Sequence, residues 1–308
     1  MQALIDKLHQ TFDHPLFKNI RAGFRIILNN KATRIYFSII VIILLLGLFG
    51  PAVAPYEANE ITRDDNGDIQ RSEAPSSEHL LGTTERGEDV LSQVLIGARP
   101  TVASGILGGG LIITLGLGIG LTSGYVGGRT ENVLMRITDL FYGIPMIPTA
   151  IILVAFFGIG YFSSILIIGL ILWRSSARVI RSQVLQIKEQ PFVKSAETAG
   201  ASTRYVIIRH ILPNVGSMAV LFLALGIGST IIVQAGLAFI GVTNPYIPSW
   251  GVMIRNAYDS GLMAVAWWWS IPPGLLIAIS VMSTFMFGRS YEQLSGQTDN
   301  EIVGWEGQ

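Results

Sequence analysis

Residues 101–125 read TVASGILGGGLIITLGLGIGLTSGY, a stretch of 25 residues without a charged side chain. A helix needs about 20 predominantly apolar residues to cross the hydrocarbon core of a bilayer, so this stretch predicts a transmembrane helix. Five further predominantly apolar runs lie at 35–53, 133–157, 163–173, 215–240 and 267–287. The sequence therefore predicts an all-α integral membrane protein with six transmembrane helices.

The composition agrees with this interpretation. Half of the 308 residues are apolar and only 14% are charged, against roughly a quarter in a typical soluble domain. The 21 basic and 21 acidic residues balance to zero net charge, so no global basic surface for nucleic acid is expected. Cysteine is absent, which excludes disulfides, thiolate metal sites and a cysteine nucleophile.

Lysine and arginine counts orient the chain. With the N-terminus in the cytoplasm, the inner segments carry 16 of the 21 basic residues and the outer segments carry five. The inner segments are 1–34, 126–136, 174–209 and the tail, and the outer ones are 56–100 and 242–266. Because cytoplasmic loops of membrane proteins are enriched in lysine and arginine, both termini are predicted to lie inside.

This topology divides the chain into five parts. They are an amphipathic cytoplasmic or interfacial segment (1–34), the first transmembrane helix (35–55), an acidic extracytoplasmic segment (56–100), a five-helix core (101–290) containing a cytoplasmic loop at about 188–213, and a cytoplasmic tail (291–308). For the first part, a basic helix in the membrane interface and a short helix packed on a partner protein remain equal alternatives. The short run 163–173 is expected to continue as a helix through Arg174, Arg178 and Arg181, which share one helix face.

The cytoplasmic loop contains the sequence PFVKSAETAGASTRYVIIRHILPN at 191–214. Its small residues permit the close approach of another surface. Gly200 is a natural helix stop because glycine tolerates the left-handed conformation, and Pro213 is expected where a new helix begins. On this pattern alone, an ordinary cytoplasmic loop is an equal alternative.

The same loop resembles the EAA loop of ABC importer permeases, whose pattern is E-A-A-x-x-x-G followed ten residues later by I-x-L-P. Gly200, Leu212 and Pro213 match this pattern in spacing. Residues 194–196 read KSA and keep only the second alanine, while His210 stands at the isoleucine position. The sequence RHILPN at 209–214 is similar to the version in the peptide and nickel branch of the family.

Four more segments, in the right order, resemble the C-type permease subunit of dipeptide/oligopeptide ABC importers. LGTTERGEDVLS at 81–92 is similar to the family pattern G-T-D-x-x-G-R-D-V-L-S, and GYVGG at 124–128 to G-Y-x-G-G. LMRITD at 134–139 with Pro145, and LAFIG at 237–241 followed by PSWG at 248–251, complete the set. The resemblance covers nearly the whole chain and implies the ABC importer permease fold.

The resemblance implies a non-catalytic permease subunit in the cell membrane that forms half of a translocation pathway for di- or oligopeptides. It implies as partners a second permease, two ATPase subunits that bind ATP and Mg, an extracytoplasmic substrate-binding protein and membrane lipid, but no nucleic acid. No cofactor or metal is expected on this chain. The same machinery carrying nickel, glutathione or an oligosaccharide is the alternative.

The resemblance also assigns the cytoplasmic loop as the element that couples ATPase closure to the membrane helices, and it is called the coupling loop (188–213) from here on. The coupling residues that it implies are Lys194, Ser195, Ala196, Glu197, Ala199, Gly200, Ala201, Ser202, His210 and Pro213. The family glutamate is lost at Lys194, and Glu197 is a candidate substitute for it.

Gln234, Pro248 and Trp250 are candidates for the pathway or an external gate. Gln234 is the one long polar side chain deep in the fifth span, where it either lines the pathway or hydrogen-bonds another helix. Pro248 and Trp250 lie in an outer loop that either caps the gate or contacts the binding protein. The tryptophans at 267–269 are expected at the membrane interface, where this residue is enriched.

Three features bear on helix packing. Gly116, Gly120 and Gly124 form a stripe typical of close helix contact in lipid, either within the chain or against the second permease. Pro145 and a second proline three residues on interrupt the third span as a gating hinge or a static kink. Asp139 is expected to form a structural ion pair with Arg136 or with an arginine of the fourth span.

Two other classes of protein fit the sequence less well than a permease. An ion-coupled secondary transporter needs coupling groups near the membrane midplane, but no carboxylate lies at the centre of a predicted span. An intramembrane hydrolase needs a serine paired with histidine or lysine, but the four histidines, at 9, 14, 79 and 210, fall outside the spans. The chain has no G-x-x-x-x-G-K-[ST] sequence, so any ATP is hydrolysed by another chain.

Overall fold

The structure is a computed structural model that describes residues 27–158 and 160–305. Its helices, numbered in chain order, are α1 (Lys31–Val53), α2 (Val90–Val126), α3 (Gly128–Tyr142), α4 (Met146–Phe157), α5 (Tyr161–Lys188), α6 (Pro191–Thr198), α7 (Thr203–Val206), α8 (Gly216–Phe239), α9 (Trp250–Asp259) and α10 (Trp267–Trp305). A π-helical turn (Ile207–Ile211) and one α-helical turn (Leu212–Asn214) join α7 to α8. Residues 1–26, most of the predicted amphipathic segment 1–34, lie outside the described residues.

Among the described helices, α1, α2, α5, α8 and α10 are long and apolar enough to cross a membrane. The pair α3 and α4 passes the same test together, but the two axes are bent by 88°. The predicted all-α membrane fold is therefore confirmed, with five continuous spans and a broken third one. Helix α10 runs on to Trp305, so the predicted tail at 291–308 is helical for most of its length rather than a separate segment.

The break in the third span lies at Gly143–Pro145. Pro145 has an extended backbone (φ −70°, ψ 120°) and precedes the first residue of α4. The Arg174 guanidinium of α5 donates to the carbonyl of Phe141, 3.1 Å away. The guanidinium thereby supplies a hydrogen-bond donor to a carbonyl near the end of α3, where the regular backbone hydrogen bonds of the helix stop. A broken helix at membrane depth requires such donors. A bend at Pro145 is thus confirmed, and a gating role for it stays a prediction.

Ion pairs hold α3 against α5. Arg178 donates to Asp139 at 2.5 Å, and both side chains are about half exposed or more. Arg181 Nε lies 2.8 Å from a carboxylate oxygen of Glu131. An exposed pair such as Arg178–Asp139 contributes about 0–1 kcal/mol, whereas Arg181 and Glu131 are both less than a third exposed. The expected partner for Asp139, an arginine of the fourth span, is confirmed as Arg178.

Helix α2 lies at the centre of the molecule and packs against α1, α5 and α8. A Cβ added at Gly120 would lie 2.8 Å from Cβ of Ile180, and one at Gly124 would lie 2.8 Å from Cβ of Val184. Gly116 faces Ser176 on the same helix, α5. Because real Cβ atoms do not approach so closely, these glycines permit the α2–α5 contact. Of the two alternatives for the stripe, the structure supports packing within the chain.

The helix that contains the second span begins earlier than predicted. Helix α2 starts at Val90 and not at Thr101, so the last 11 residues of the predicted extracytoplasmic segment 56–100 are helical rather than a loop, while the extracytoplasmic location of the segment stays a prediction. Asp89 is the N-cap, because its Oδ2 accepts the backbone N–H of Ser92 at 2.7 Å. Polar residues and Pro100 within the first turns interrupt the apolar run and conceal the helix start.

The segment 56–89 packs onto the outer ends of the spans. His79 is fully buried and its ring nitrogens lie 2.9 Å from Asp89 Oδ1 and 3.1 Å from Gln70 Oε1. The indole N–H of Trp268 donates to the carbonyl of Thr83 at 3.2 Å. Trp268 and Trp269 are buried, so the interface prediction is wrong for both. Both rings are buried near the contact between α10 and this outer segment.

Candidate functional site

The first half of the coupling loop is a short helix with a defined end. Helix α6 has Pro191 in its first turn, where a missing N–H costs nothing. At its end, Ala201 N–H donates to the carbonyl of Ala196 and Gly200 N–H to that of Glu197, both at 3.0 Å. This is the Schellman arrangement, and it places Gly200 in the left-handed region (φ +83°). The predicted helix stop at Gly200 is confirmed.

Buried apolar side chains fix the coupling loop to the membrane helices. Val193 of α6, Val206 of α7 and Ile211 of the π turn are all 0% exposed. They belong to one core cluster with Ile180 and Val184 of α5. A fully buried side chain of this size contributes roughly 1.5–3 kcal/mol. The loop is therefore packed on α5 as a rigid unit.

Polar contacts join the loop to the cytoplasmic end of α2. The hydroxyl of Tyr125 donates to Glu197 Oε1 at 2.8 Å. The ammonium of Lys188 donates to the Tyr125 carbonyl at 2.7 Å and lies 5.3 Å from the centre of its ring. Sequence reasoning did not single out Tyr125, although its position beside the Gly127–Gly128 turn marks the end of a span. Glu197 thus binds α2 within the chain.

Lys194 occupies the position of the family glutamate and points to the surface. Its ammonium lies 2.5 Å from a carboxylate oxygen of Glu189, and both side chains are more than half exposed. The hydrogen bond from Lys194 and its positive charge hold the pKa of the Glu189 carboxyl below its usual value. A basic group therefore stands on this surface where the related pattern has an acidic one.

The outer face of α6 is open and, apart from Lys194, formed by short side chains. An open concavity there is lined by Pro191, Lys194, Ser195, Thr198 and Ala199. Next to it, a Cβ added at Gly200 would meet no atom of the described residues within 4 Å. This face combines an accessible surface with a rigid base, as a docking surface for another protein requires.

The second half of the coupling loop corrects the prediction for Pro213. The second helix begins at Thr203, capped by the hydroxyl of Ser202, so Pro213 lies ten residues inside the helical path. The π turn before it carries the bond from Leu212 N–H to the carbonyl of Ile207, five residues back. Proline has no N–H to donate, and the wider π turn just before it accommodates that gap.

His210 is held between aromatic rings. Its ring centre lies 6.0 Å from that of Phe192 on α6 and 5.8 Å from that of Tyr205 on α7. The amide of Asn214 donates to the His210 carbonyl at 2.6 Å. His210 therefore links α6 to the second helix.

Gln234, a pathway candidate, is buried inside the chain. The side chain is 4% exposed, and its amide donates to the hydroxyl of Ser164 on α5 at 3.1 Å. Of the two alternatives for Gln234, the structure supports the hydrogen bond to another helix.

Trp250, the gate candidate, is also buried, with 0% exposure. Its backbone N–H donates to Thr101 Oγ1 at 3.2 Å, and its indole N–H donates to the Val94 carbonyl at 3.0 Å. A direct contact of the Trp250 side chain with a binding protein is contradicted, because the ring is enclosed against α2, and the gate alternative stays a prediction. Pro248 is partly exposed, and its carbonyl lies against Gly97 of α2.

These features define a multi-span helical membrane protein with a cytoplasmic loop packed firmly on its membrane helices, the architecture of a transport permease. Within residues 27–158 and 160–305, no group of three or more His, Asp or Glu side chains is placed to hold a metal ion. A family model described as "Binding-protein-dependent transport system inner membrane component" matches residues 116–294, which include the whole coupling loop. The chain belongs to this family of inner-membrane permeases.

Named relatives are permease proteins of the same type. The oligopeptide transport system permease protein OppC of Bacillus subtilis (strain 168) is 30% identical over 262 residues, covering 85% of this chain and 83% of the relative. The glutathione transport system permease protein GsiD of Pectobacterium atrosepticum is 31% identical over 250 residues, or 81% of each chain. GsiD of Escherichia coli O6:K15:H31 is 32% identical over 266 residues, covering 86% of this chain and 85% of the relative. The resemblance to peptide-type ABC importer permeases is confirmed.

Proposed function

We propose that this chain couples ATPase subunits in the cytoplasm to one half of a translocation pathway for di- or oligopeptides. The observation that carries the proposal is the coupling loop, in which an exposed face of small residues stands on a fully buried apolar base. ATP and Mg are bound and used by the partner ATPases. This chain contributes the mechanical connection and no catalytic group.

The connection runs through two helices that meet at Gly200. An ATPase that docks on the outer face of α6 pushes on a helix whose Val193 is packed against α5. The second helix leads from Ser202 through the π turn into α8, a membrane span that packs on α2 and α10. Closure of two ATPases on two permeases would thereby shift α5 and α8 together and change which side of the membrane the pathway faces.

The cargo is proposed from the relatives. OppC is named for oligopeptide transport and GsiD for glutathione transport. Glutathione is itself a small peptide, so both names support a peptide-like cargo over nickel or an oligosaccharide. A di- or oligopeptide is the first choice, and glutathione is the alternative.

Isolation of the intact complex tests this proposal. We expect the tagged chain, extracted in mild detergent from its native host, to co-purify with a second permease and one or two ATPases identified by mass spectrometry. A binding protein encoded or expressed with them would identify the cargo by its bound ligand. Recovery of this chain alone, under conditions that keep a reference membrane complex together, would contradict the proposal and favour a secondary transporter.

A further inference from the structure

The extracytoplasmic side contains a polar cavity of about 270 Å³. It lies between the segment 56–89, the first turns of α2, the outer loop near residue 246 and α9. Its polar lining comes from Asn59, Arg86, Glu88, Gln93, Tyr246 and Asn256. The cavity is on the face opposite the coupling loop, so it is separate from the docking surface described above.

Glu88 is an unusual member of this lining. Its side chain is 6% exposed, and one carboxylate oxygen accepts hydrogen bonds from Thr84 Oγ1 at 3.0 Å and Gln93 Nε2 at 2.9 Å. Both donors are neutral, and in the described part of the chain Glu88 forms no ion pair. A buried carboxylate is costly unless a cation or hydrogen bonds compensate it. Hydrogen bonds therefore hold the Glu88 carboxylate in place, but no cationic side chain of the described residues pairs with it.

The groups around Glu88 suit one kind of ligand. An ammonium group presents three N–H donors and no acceptor. The Glu88 carboxylate accepts such donors, and Asn59 and Asn256, whose amides both donate and accept, line the same cavity. Arg86 also lines the cavity, but it is exposed and forms no ion pair with Glu88 among the described residues.

The sequence of this segment also favours a cationic ligand at Glu88. The family pattern quoted above has aspartate at the position of Thr84 and arginine at the position of Glu88. This chain therefore carries an acidic side chain where the related pattern carries a basic one. A preference for a cation at this position is expected of this chain in particular.

We propose that Glu88 binds the free α-ammonium group of the peptide cargo as it enters from the extracytoplasmic side. This inference rests on the proposed function, since it names a specificity-determining residue for that cargo. Loss of a charge-assisted contact of this kind corresponds to a change on the order of tenfold or more in the apparent affinity.

Transport by the reconstituted complex with its binding protein tests the proposal. Uptake of a peptide with a free amino terminus is compared with uptake of its N-acetylated form, for the native chain and for Glu88→Gln. The ratio between the two peptides is used because any preference of the binding protein itself cancels between the variants. Glu85→Gln is the matched control, because Glu85 is exposed in the same segment and does not line the cavity.

We expect Glu88→Gln to lower the free-to-acetylated ratio by about tenfold, and Glu85→Gln to leave it unchanged. An equal fall in uptake of both peptides would overturn the proposal, because it would mean that Glu88 pairs with a basic side chain of the binding protein. An unchanged ratio and rate would also overturn it. If the native complex transports no peptide at all, the proposed cargo fails instead.

A second measurement does not depend on transport. Because the chain has no cysteine, Asn59→Cys places a single thiol at the cavity, and its labelling from the outer side is followed on the purified complex. Excess free-amine dipeptide should slow this labelling, and the N-acetylated dipeptide should not. The protection should be lost when Glu88→Gln is added, and equal protection with and without that change would contradict a role for the carboxylate.

Discussion

Replacing Gly200 with valine is expected to abolish peptide uptake while the partner ATPases continue to hydrolyse ATP. Gly200 has φ +83°, and the left-handed conformation costs an L-residue about 1–2 kcal/mol, with a β-branched side chain at the upper end. Since no atom in the described part of the chain lies within 4 Å of an added Cβ, the new side chain projects into the open space beside the face assigned to docking. Both effects disturb the turn between α6 and the second helix.

The experiment compares ATP hydrolysis and peptide uptake in proteoliposomes containing the whole complex. Gly128→Val is the matched control, because Gly128 also has positive φ (+58°) and open space around its Cβ but lies at the start of α3. We expect at least about a tenfold loss of uptake per ATP for Gly200→Val, and much less for the control. Uptake that stays coupled to ATP hydrolysis in Gly200→Val would remove the coupling loop from the mechanism.

Trp250→Ala is expected to cause the largest loss of stability among the site residues. The side chain is fully buried, and truncation of a buried tryptophan costs about 3–5 kcal/mol. The hydrogen bond from the indole N–H to the carbonyl of Val94 is also lost, which adds about 0.5–1.5 kcal/mol. The result should be a lower melting temperature in detergent, whatever the state of the ATPases.

Trp267→Ala is the control for this prediction. Trp267 lies on the same side of the membrane but is 50% exposed, so its removal leaves no comparable cavity. Thermal unfolding followed by the loss of monodisperse protein measures both variants. Equal melting temperatures for the two variants would contradict the buried position of Trp250. A Trp250→Ala protein of native stability that fails only in binding-protein docking would restore the predicted contact with the binding protein.

The spans were predictable because bilayer thickness imposes a length that apolar runs display directly. The start of α2 was not, because Gln93, Arg99 and Pro100 break the apolar run before Thr101. Asp89 ahead of Val90 is an N-cap signal that could have found it. The bend at Pro145 was predictable because proline acts on the local backbone, whereas its 88° angle depends on how α4 packs on α5.

At the coupling loop, too, local features were predictable and contacts between distant residues were not. The stop at Gly200 follows from backbone preferences within a few residues, so the sequence predicts it. The contact of Tyr125 with Glu197 joins residues 72 positions apart, and that of Trp250 with Val94 joins residues 156 positions apart. Such pairs depend on which helix faces which, and a single sequence contains no signal for that. The burial of Trp250 was missed for this reason, and the choice between the two alternatives for Gln234 needed the structure.

The central claim is that the outer face of α6 docks an ATPase. Because the chain contains no cysteine, Ser195→Cys on this face and Glu85→Cys on the outer side each introduce a single exposed thiol. Both variants are treated with a short thiol-reactive cross-linker in native membranes, and the adducts are identified by mass spectrometry. The account predicts an ATPase adduct from Ser195→Cys and none from Glu85→Cys. An assembled complex in which Ser195→Cys cross-links to no ATPase subunit would contradict it.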